Sequence, residues 1–414
     1  MIRCYEYCNA ACIRLKSRYT GSVQIYAANT ALHLESQYMS LILEITDSIG
    51  QVDANQWDAL VGDMPLLSHA FLSALETSNS VGKGTGWQSY PMLVRNDGEL
   101  VGAIPLYLKN HSYGEYVFDW AWAEAYQRSG LNYYPKLLAA IPFTPITSPR
   151  LLAKNIEIQA LMIAALGETM LKHKLSSVHV IFPDDDSAAT LLQDGWMKRH
   201  GVQFRWENEG FSDFDDFLAA LSHDKRKKIR QERKKVNASN IVCKRIRGED
   251  VTLEQWDFFY QCYENTYLEH QSTPYLTRAF FQEIGLTMPK NILLVIAYVD
   301  DIPVASALNI YHQTTLYGRY WGALRYVPNL HFELCYYQAQ EFCIAEKIKY
   351  FEGGAQGEHK LARGFKPRPT CSFHKIAHSD FAVAISDFLT KESLSIAAYT
   401  SELEQRAPFK VLSK

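Results

Sequence analysis

The chain has 414 residues, 47% of them hydrophobic and 21% charged, with a formal net charge of −3. That length exceeds one ordinary core and predicts two or three domains of globular composition, while the charge excludes a chain-wide basic surface for nucleic acid. No run approaches the roughly 18 apolar residues of a membrane span, and Arg14, Lys16 and Arg18 interrupt any signal-peptide core. A cytoplasmic location is expected, with contact at a membrane surface left open. The eight cysteines include no C-x-x-C pair, so no metal site is expected.

Residues 1–38 read as a leader, disordered or outside the native protein, and Met39 as the start of the folded chain. A strand is predicted over 41–45, followed by helices over 52–60 and 69–77, the second capped by Ser68. Strands at 90–95 and 100–108 meet at Asp97-Gly98, a strong hairpin signal. A strand at 116–122, a proline-punctuated stretch, a helix over 156–173 and a strand at 177–182 complete this half. The second series predicts a strand at 202–207, a short helix near 214–221, a basic helix over 223–236 and a strand at 241–246. Helices over 253–267 and 277–285, strands at 292–299, 304–311 and 315–321, a helix over 331–347 and a strand at 350–352 follow.

The halves repeat. Tyr113-Gly114-Glu115-Tyr116 aligns with Tyr317-Gly318-Arg319-Tyr320 at a shift of 204 residues, which also places Asp97 on Asp301 and Leu106 on Ile310. The sequence therefore predicts an α/β (α+β) chain of two tandem modules, 39–198 and 199–380, with a helical tail at 381–414. Each module is a mixed, largely antiparallel sheet flanked by helices, in the element order of the acetyltransferase (GNAT) module.

The segment best suited to chemistry ends the strand at 350–352 and places Gly353, Gly354, Gln356 and Gly357 before Glu358, His359, Lys360 and Arg363. Glycines let a backbone approach a ligand or adopt positive φ. Glu358 or His359 fits a general base, and Lys360 and Arg363 fit a donor anion. Tyr320 and Trp321 are expected nearby, with Tyr113 and Asp119 across a cleft between the modules. Asp119 stands out as a charge inside an aromatic run.

The stretch Glu352-Gly353-Gly354-Ala355-Gln356-Gly357-Glu358-His359-Lys360 with Arg363-Gly364-Phe365 resembles the signature of the Fem-like predicted N-acyltransferases, labelled peptidoglycan-biosynthesis proteins. Leu67 to Leu72, Ser112 to Trp120 and Pro142-Phe143-Thr144-Pro145 match the same family, so the resemblance spans about 39–388. It implies tandem GNAT-like modules and transfer of an acyl or aminoacyl group to an amine acceptor. The donor co-substrate would be acyl-CoA or aminoacyl-tRNA. Gly322 to Asn329 lacks the Q/R-x-x-G-x-G/A spacing with which CoA enzymes of this fold hold pyrophosphate at a helix N-terminus, which favours another carrier.

The run from His223 to Lys235 carries Lys225, Arg226, Lys227, Lys228, Arg230, Arg233, Lys234 and Lys235 against Asp224 and Glu232. Positive charge is expected on nearly all its faces, as a solvated helix, a phosphate clamp, a membrane-surface contact or an RNA contact. No aromatic interleaving for base stacking accompanies it. The alternative to a transferase is accordingly a non-catalytic protein that binds a charged metabolite or RNA through this helix.

Overall fold

The computed structural model describes residues 14–17, 22–26, 40–354 and 357–410, the first two segments and Ser40 by their backbone alone. Apart from two strands, Arg14–Ser17 (β1) and Ser22–Tyr26 (β2), the expected leader at 1–38 lies outside the described residues. The first half continues with Ser40–Ile45 (β3), Trp87–Ser89 (β4), Met92–Asn96 (β5), Glu99–Ile104 (β6) and Leu106–Lys109 (β7). Lys136–Ala139 (β8), Leu152–Ala153 (β9), Ser177–Ile181 (β10) and Met197–Glu207 (β11) follow. The second half holds Ile241–Arg247 (β12), Ile292–Val299 (β13), Ile302–His312 (β14), Thr315–Ala323 (β15), Tyr350–Glu352 (β16) and Lys366–Ile376 (β17).

These strands build a six-stranded sheet, β1-β2-β3-β5-β6-β9, and an eleven-stranded one, β12-β13-β14-β15-β16-β11-β17-β10-β8-β7-β4. Pro105 separates β6 from β7; it has no N–H to give a ladder, and the chain changes sheets there. All five residues of β10 are buried, as a strand covered on both faces requires.

Each half contributes one parallel crossover. The helix Ile156–Lys172 joins β8 to β10, and the helical segment 330–345 joins β15 to β16. Between these parallel pairs lie β11 and β17, antiparallel to each other, β11 also bonding β16 and β17 also bonding β10. The repeated hairpins are present: Asp97 turns β5 into β6, Asp300 and Asp301 turn β13 into β14, and all three adopt positive φ.

Two expectations are corrected. The Tyr-Gly-x-Tyr repeat is a strand only in its second copy; in the first, Tyr113 to Asp119 form turns, and the helix Trp120–Arg128 replaces the strand predicted at 116–122. The reason is buried charge: Lys136 bonds Ser112 (2.8 Å), Glu115 (2.8 Å) and Asp119 (2.5 Å), which folds this segment over the end of β8. The strand predicted at 100–108 is the broken pair β6 and β7. β17 and the helix Ser379–Gln405 return to the first half, so strands contributed from both halves build one sheet.

The two crossovers differ where their parallel strands part. Beyond Ala139 and Val180, the fully buried Arg150 fills the gap, donating from Nε to Ile181 O (2.9 Å) and from Nη2 to Ile146 O (2.8 Å). Beyond Tyr317 and Glu352, Gly353 N bonds Phe204 O (2.9 Å) and the strands separate around open space. Replacing Arg150 with Ala strands these buried carbonyls. The expected loss is on the order of 3 kcal/mol in denaturant unfolding, with an unchanged m-value.

Candidate functional site

The open gap is a cavity of about 160 Å³, lined among others by Arg319, Tyr320, Trp321, His331, Tyr336 and Gly353. A β-bulge shapes it. The β14–β15 ladder pairs Leu308 with Tyr320 and Asn309 with Gly318, so Arg319 is the extra residue and is turned out of register. Its Nη2 donates to Phe143 O (2.7 Å), Thr144 Oγ1 (2.9 Å) and Tyr320 Oη (2.9 Å). Arg319 Nε is buried and has no partner among the described residues, as is also true of Arg363 Nε. Phe143 and Thr144 belong to the Pro-Phe-Thr-Pro motif, so the first half supplies one edge of the second half's site.

The helical segment 330–345 is drawn into a π turn over Glu333–Tyr337, a local widening common at functional sites. It brings Tyr336 Oη to 2.9 Å from His359 Nε2. The His331 ring centre lies 5.0 Å from that of Trp321 and 6.0 Å from that of His359. Burial first, then the neighbouring positive charges, hold both histidines down at about 4, so both are neutral proton acceptors at neutral pH. Lys360 is buried beside the Phe204 ring, and burial brings its ammonium down to about 8.

The predicted residues divide into groups. Gly353, Tyr320 and Trp321 line the cavity, His359 reaches it through Tyr336, and Lys360 lies behind it beside Cys335. Gly354 and Gly357 supply the positive φ values of the turn, 79° and 100°, and Gln356 lies outside the described residues.

Glu358 is not aimed at the cavity. Arg406 (2.6 Å) and Tyr399 (3.0 Å) of the C-terminal helix and the turn after it hold its carboxylate, and their hydrogen bonds keep it below its ordinary range. Arg363 is spent on Glu232, at 2.8 and 2.9 Å, rather than offered to an anion.

Asp119 does not face a cleft; it is buried in the first half against Lys136 and Tyr133 Oη (2.7 Å). Burial would raise its carboxyl, but the Lys136 ammonium overrides this and holds it low. Tyr113 is exposed and packs on Trp120, ring centres 4.8 Å apart.

Sequence reasoning missed Arg319, His331 and Tyr336. A π turn and a bulge leave no spacing signature, although Arg319 stood inside the repeated tetrapeptide.

The basic helix, His223–Asn237, keeps its positive charge off one face. Ile229, Glu232 and Val236 form its buried face. Arg233 is bound by Glu333 (2.9 Å) and Glu341 (2.6 Å), and Arg230 lies 3.4 Å from Asp215. Lys225, Arg226, Lys227, Lys228, Lys234 and Lys235 meet no acidic partner among the described residues and form the remaining positive surface. Among the described residues no group of three or more His, Cys, Asp or Glu is placed to hold a metal ion, and no helix is long and apolar enough to cross a membrane.

The shifted groups set a stability profile. His331 and His359 at about 4, and the buried His374 at about 3, take up protons less readily folded than unfolded, where histidine titrates near 6.5. Their contribution is complete above pH 6.5 and is lost as pH falls toward 4 and below. Lys360, at about 8 rather than 10.5, destabilises the fold below pH 8, and this penalty lifts as pH rises to 10.5. Thermal unfolding of Lys360→Met against the parent should show a difference in melting temperature that moves in the parent's favour as pH rises from 8 to 10.5. A difference that stays constant over that range contradicts the assignment.

Comparison with known proteins gives the following. The family described as FemAB-like, peptidoglycan biosynthesis/recognition, matches residues 48–411. None of the curated proteins matches the sequence. Among solved structures, FemX superposes with a TM-score of 0.51 at 12% identity, over 81% of this chain and 98% of that one. The C-terminal domain of a putative lysylphosphatidylglycerol synthetase from Agrobacterium fabrum gives 0.51 at 8% identity, over 82% and 96%. L-PGS from Bacillus licheniformis gives 0.50 at 11%, over 82% and 96%. At these identities the likeness is one of fold.

Proposed function

The chain belongs to the FemAB-like family, and from that premise we propose that it transfers an acyl or aminoacyl group to an amine at the cavity where β15 and β16 part. The observation that carries this is Arg319, turned out of the β14–β15 ladder into the cavity lining, with an Nε that has no partner among the described residues. The amine lone pair attacks the donor's carbonyl carbon, the C–N bond forms, and the carbonyl electron pair moves onto oxygen. The Arg319 guanidinium, its Nε–H bonded to no described residue, stabilises that developing oxyanion when turned toward it. Collapse breaks the acyl bond to the carrier, which leaves with the electron pair.

The amine's proton passes to a neutral imidazole. His331 lines the cavity and is the nearer acceptor, with His359 behind Tyr336 as a second. The imidazole that took this proton then delivers it to the leaving group. Lys360 keeps positive charge close to the oxyanion in a dry setting. The donor is taken to be an aminoacyl-tRNA rather than acyl-CoA, because Gly322 to Asn329 offers no glycine-lined pyrophosphate cradle. Lys225, Arg226, Lys227 and Lys228 offer a phosphate-binding surface instead. The family's description makes a cell-wall precursor amine the natural acceptor.

The reading is tested by offering the protein charged tRNA, acyl-CoAs and cell-wall nucleotides and seeking the amide product by mass spectrometry. Tight binding with no product in any combination would instead favour a polyanion-binding protein. With the productive pair in hand, Arg319→Lys and His331→Asn should each lower kcat by on the order of 100-fold with melting temperature nearly kept. Full turnover in both removes the site.

A further inference from the structure

The loop that carries His359 and Lys360 is pinned at both ends by helices remote in sequence. Its start is Gly357, at φ 100°, and its body is the 3-10 turn Glu358–Arg363. At the far end Arg363 is buried. Beyond its bidentate bond to Glu232 of the basic helix, its Nη1 donates to His359 O (2.6 Å), and its guanidinium lies 3.4 Å from the Phe332 ring centre. Tyr337 adds a hydrogen bond to Glu232. This anchor is dry and tightly packed.

At the near end Glu358 is held from outside, by Tyr399 Oη (3.0 Å) and Arg406 Nη1 (2.6 Å), with the Arg406 and Glu358 side chains 47% and 42% exposed. The clasping segment is itself fastened. Leu403 is fully buried, Ser222 N bonds Pro408 O (2.9 Å), Lys410 N bonds Ala220 O (3.1 Å), and Phe409 pairs with Leu221. The C-terminal segment thus reaches from the site loop to the first turn of the basic helix.

We propose that Tyr399 and Arg406 are positioning residues, forming a releasable clasp that sets where His359 and Lys360 lie relative to the cavity. The asymmetry of the two ends is the argument. An exposed ion pair is screened and easily broken, whereas the buried Arg363–Glu232 pair is not. Opening the clasp therefore frees the first half of the turn about Gly357 while its end stays fixed. His359, next to Glu358, then leaves Tyr336. This inference rests on the proposed site only for its consequence in catalysis; the mechanical coupling stands on the contacts alone.

The test uses the full chain and needs no substrate. In the double variant Tyr399→Phe, Arg406→Ala, backbone amides at 358–361 should exchange with deuterium about tenfold faster than in the parent, the effect of losing one exposed ion pair and one hydrogen bond. Amides of the basic helix, β15 and β17 should be unchanged. The His359 imidazole, followed by NMR, should move from about 4 toward its ordinary 6.5. Arg406→Lys with Tyr399 intact should restore most of both. Unchanged loop exchange, or faster exchange throughout the fold, overturns the clasp. If transfer is found, kcat falls while the donor KM holds. If no transfer is ever found but the loop responds as stated, the clasp survives and the catalytic reading fails.

Discussion

The antiparallel ladder between β11 and β17, from Met197 opposite His374 to Arg205 opposite Lys366, is the constraint on which the site depends. It joins two crossover units into one sheet and fixes their relative register. Because β11 runs on to pair Arg205 with Glu352, its Phe204 carbonyl stands where Gly353 must turn away from β15. A side chain at Gly353 would meet the Phe365 ring at 2.7 Å, so only glycine lets the chain make this departure. The parting of β15 and β16, and hence the cavity, follows from that register.

Charge is used differently in the two halves. In the first, Lys109, Glu115, Asp119 and Lys136 are buried together, with His179 and His374 facing across β10 and β17 at 2.6 Å between Nδ1 atoms. There the Arg150 guanidinium bonds the Ile181 and Ile146 carbonyls and fastens the crossover shut. In the second half, Arg319 and Lys360 stand at an open crossover, and burial has lowered the Lys360 ammonium without closing the space. One architecture thus holds a closed crossover in one copy and an open one in the other. The framework copy still contributes, since Phe143 and Thr144 hold Arg319 in place.

Much of this was legible in the sequence, for local reasons. The Asp97-Gly98 hairpin, the β13–β15 meander and the helix before β16 are set by turn chemistry and apolar periodicity, and they were read directly. The glycine-rich stretch after β16 was legible because its residue types are hard to explain otherwise. What failed depended on distant partners. The aromatic run at 116–122 has strand propensity, yet Lys136 draws Glu115 and Asp119 into a turn and helix. β17 carries Pro367 and Pro369, which suggest a loop. Both lie where the ladder bonds β11, while β10 joins only from Ser372, leaving an edge where proline is tolerated. Glu358 looked like a free base because Arg406, its partner, lies 48 residues on.

The central claim is that the reacting carbonyl sits at the parting of β15 and β16 in the second half. The most direct measurement is a crystal structure of the protein with a non-hydrolysable donor analogue whose tetrahedral centre mimics the intermediate. The account predicts the analogue's oxyanion within hydrogen-bond reach of Arg319 Nε, with its amine-side group toward His331 and Tyr336. An analogue seated beside Arg150, or in the groove between the C-terminal helix and β11, would contradict it.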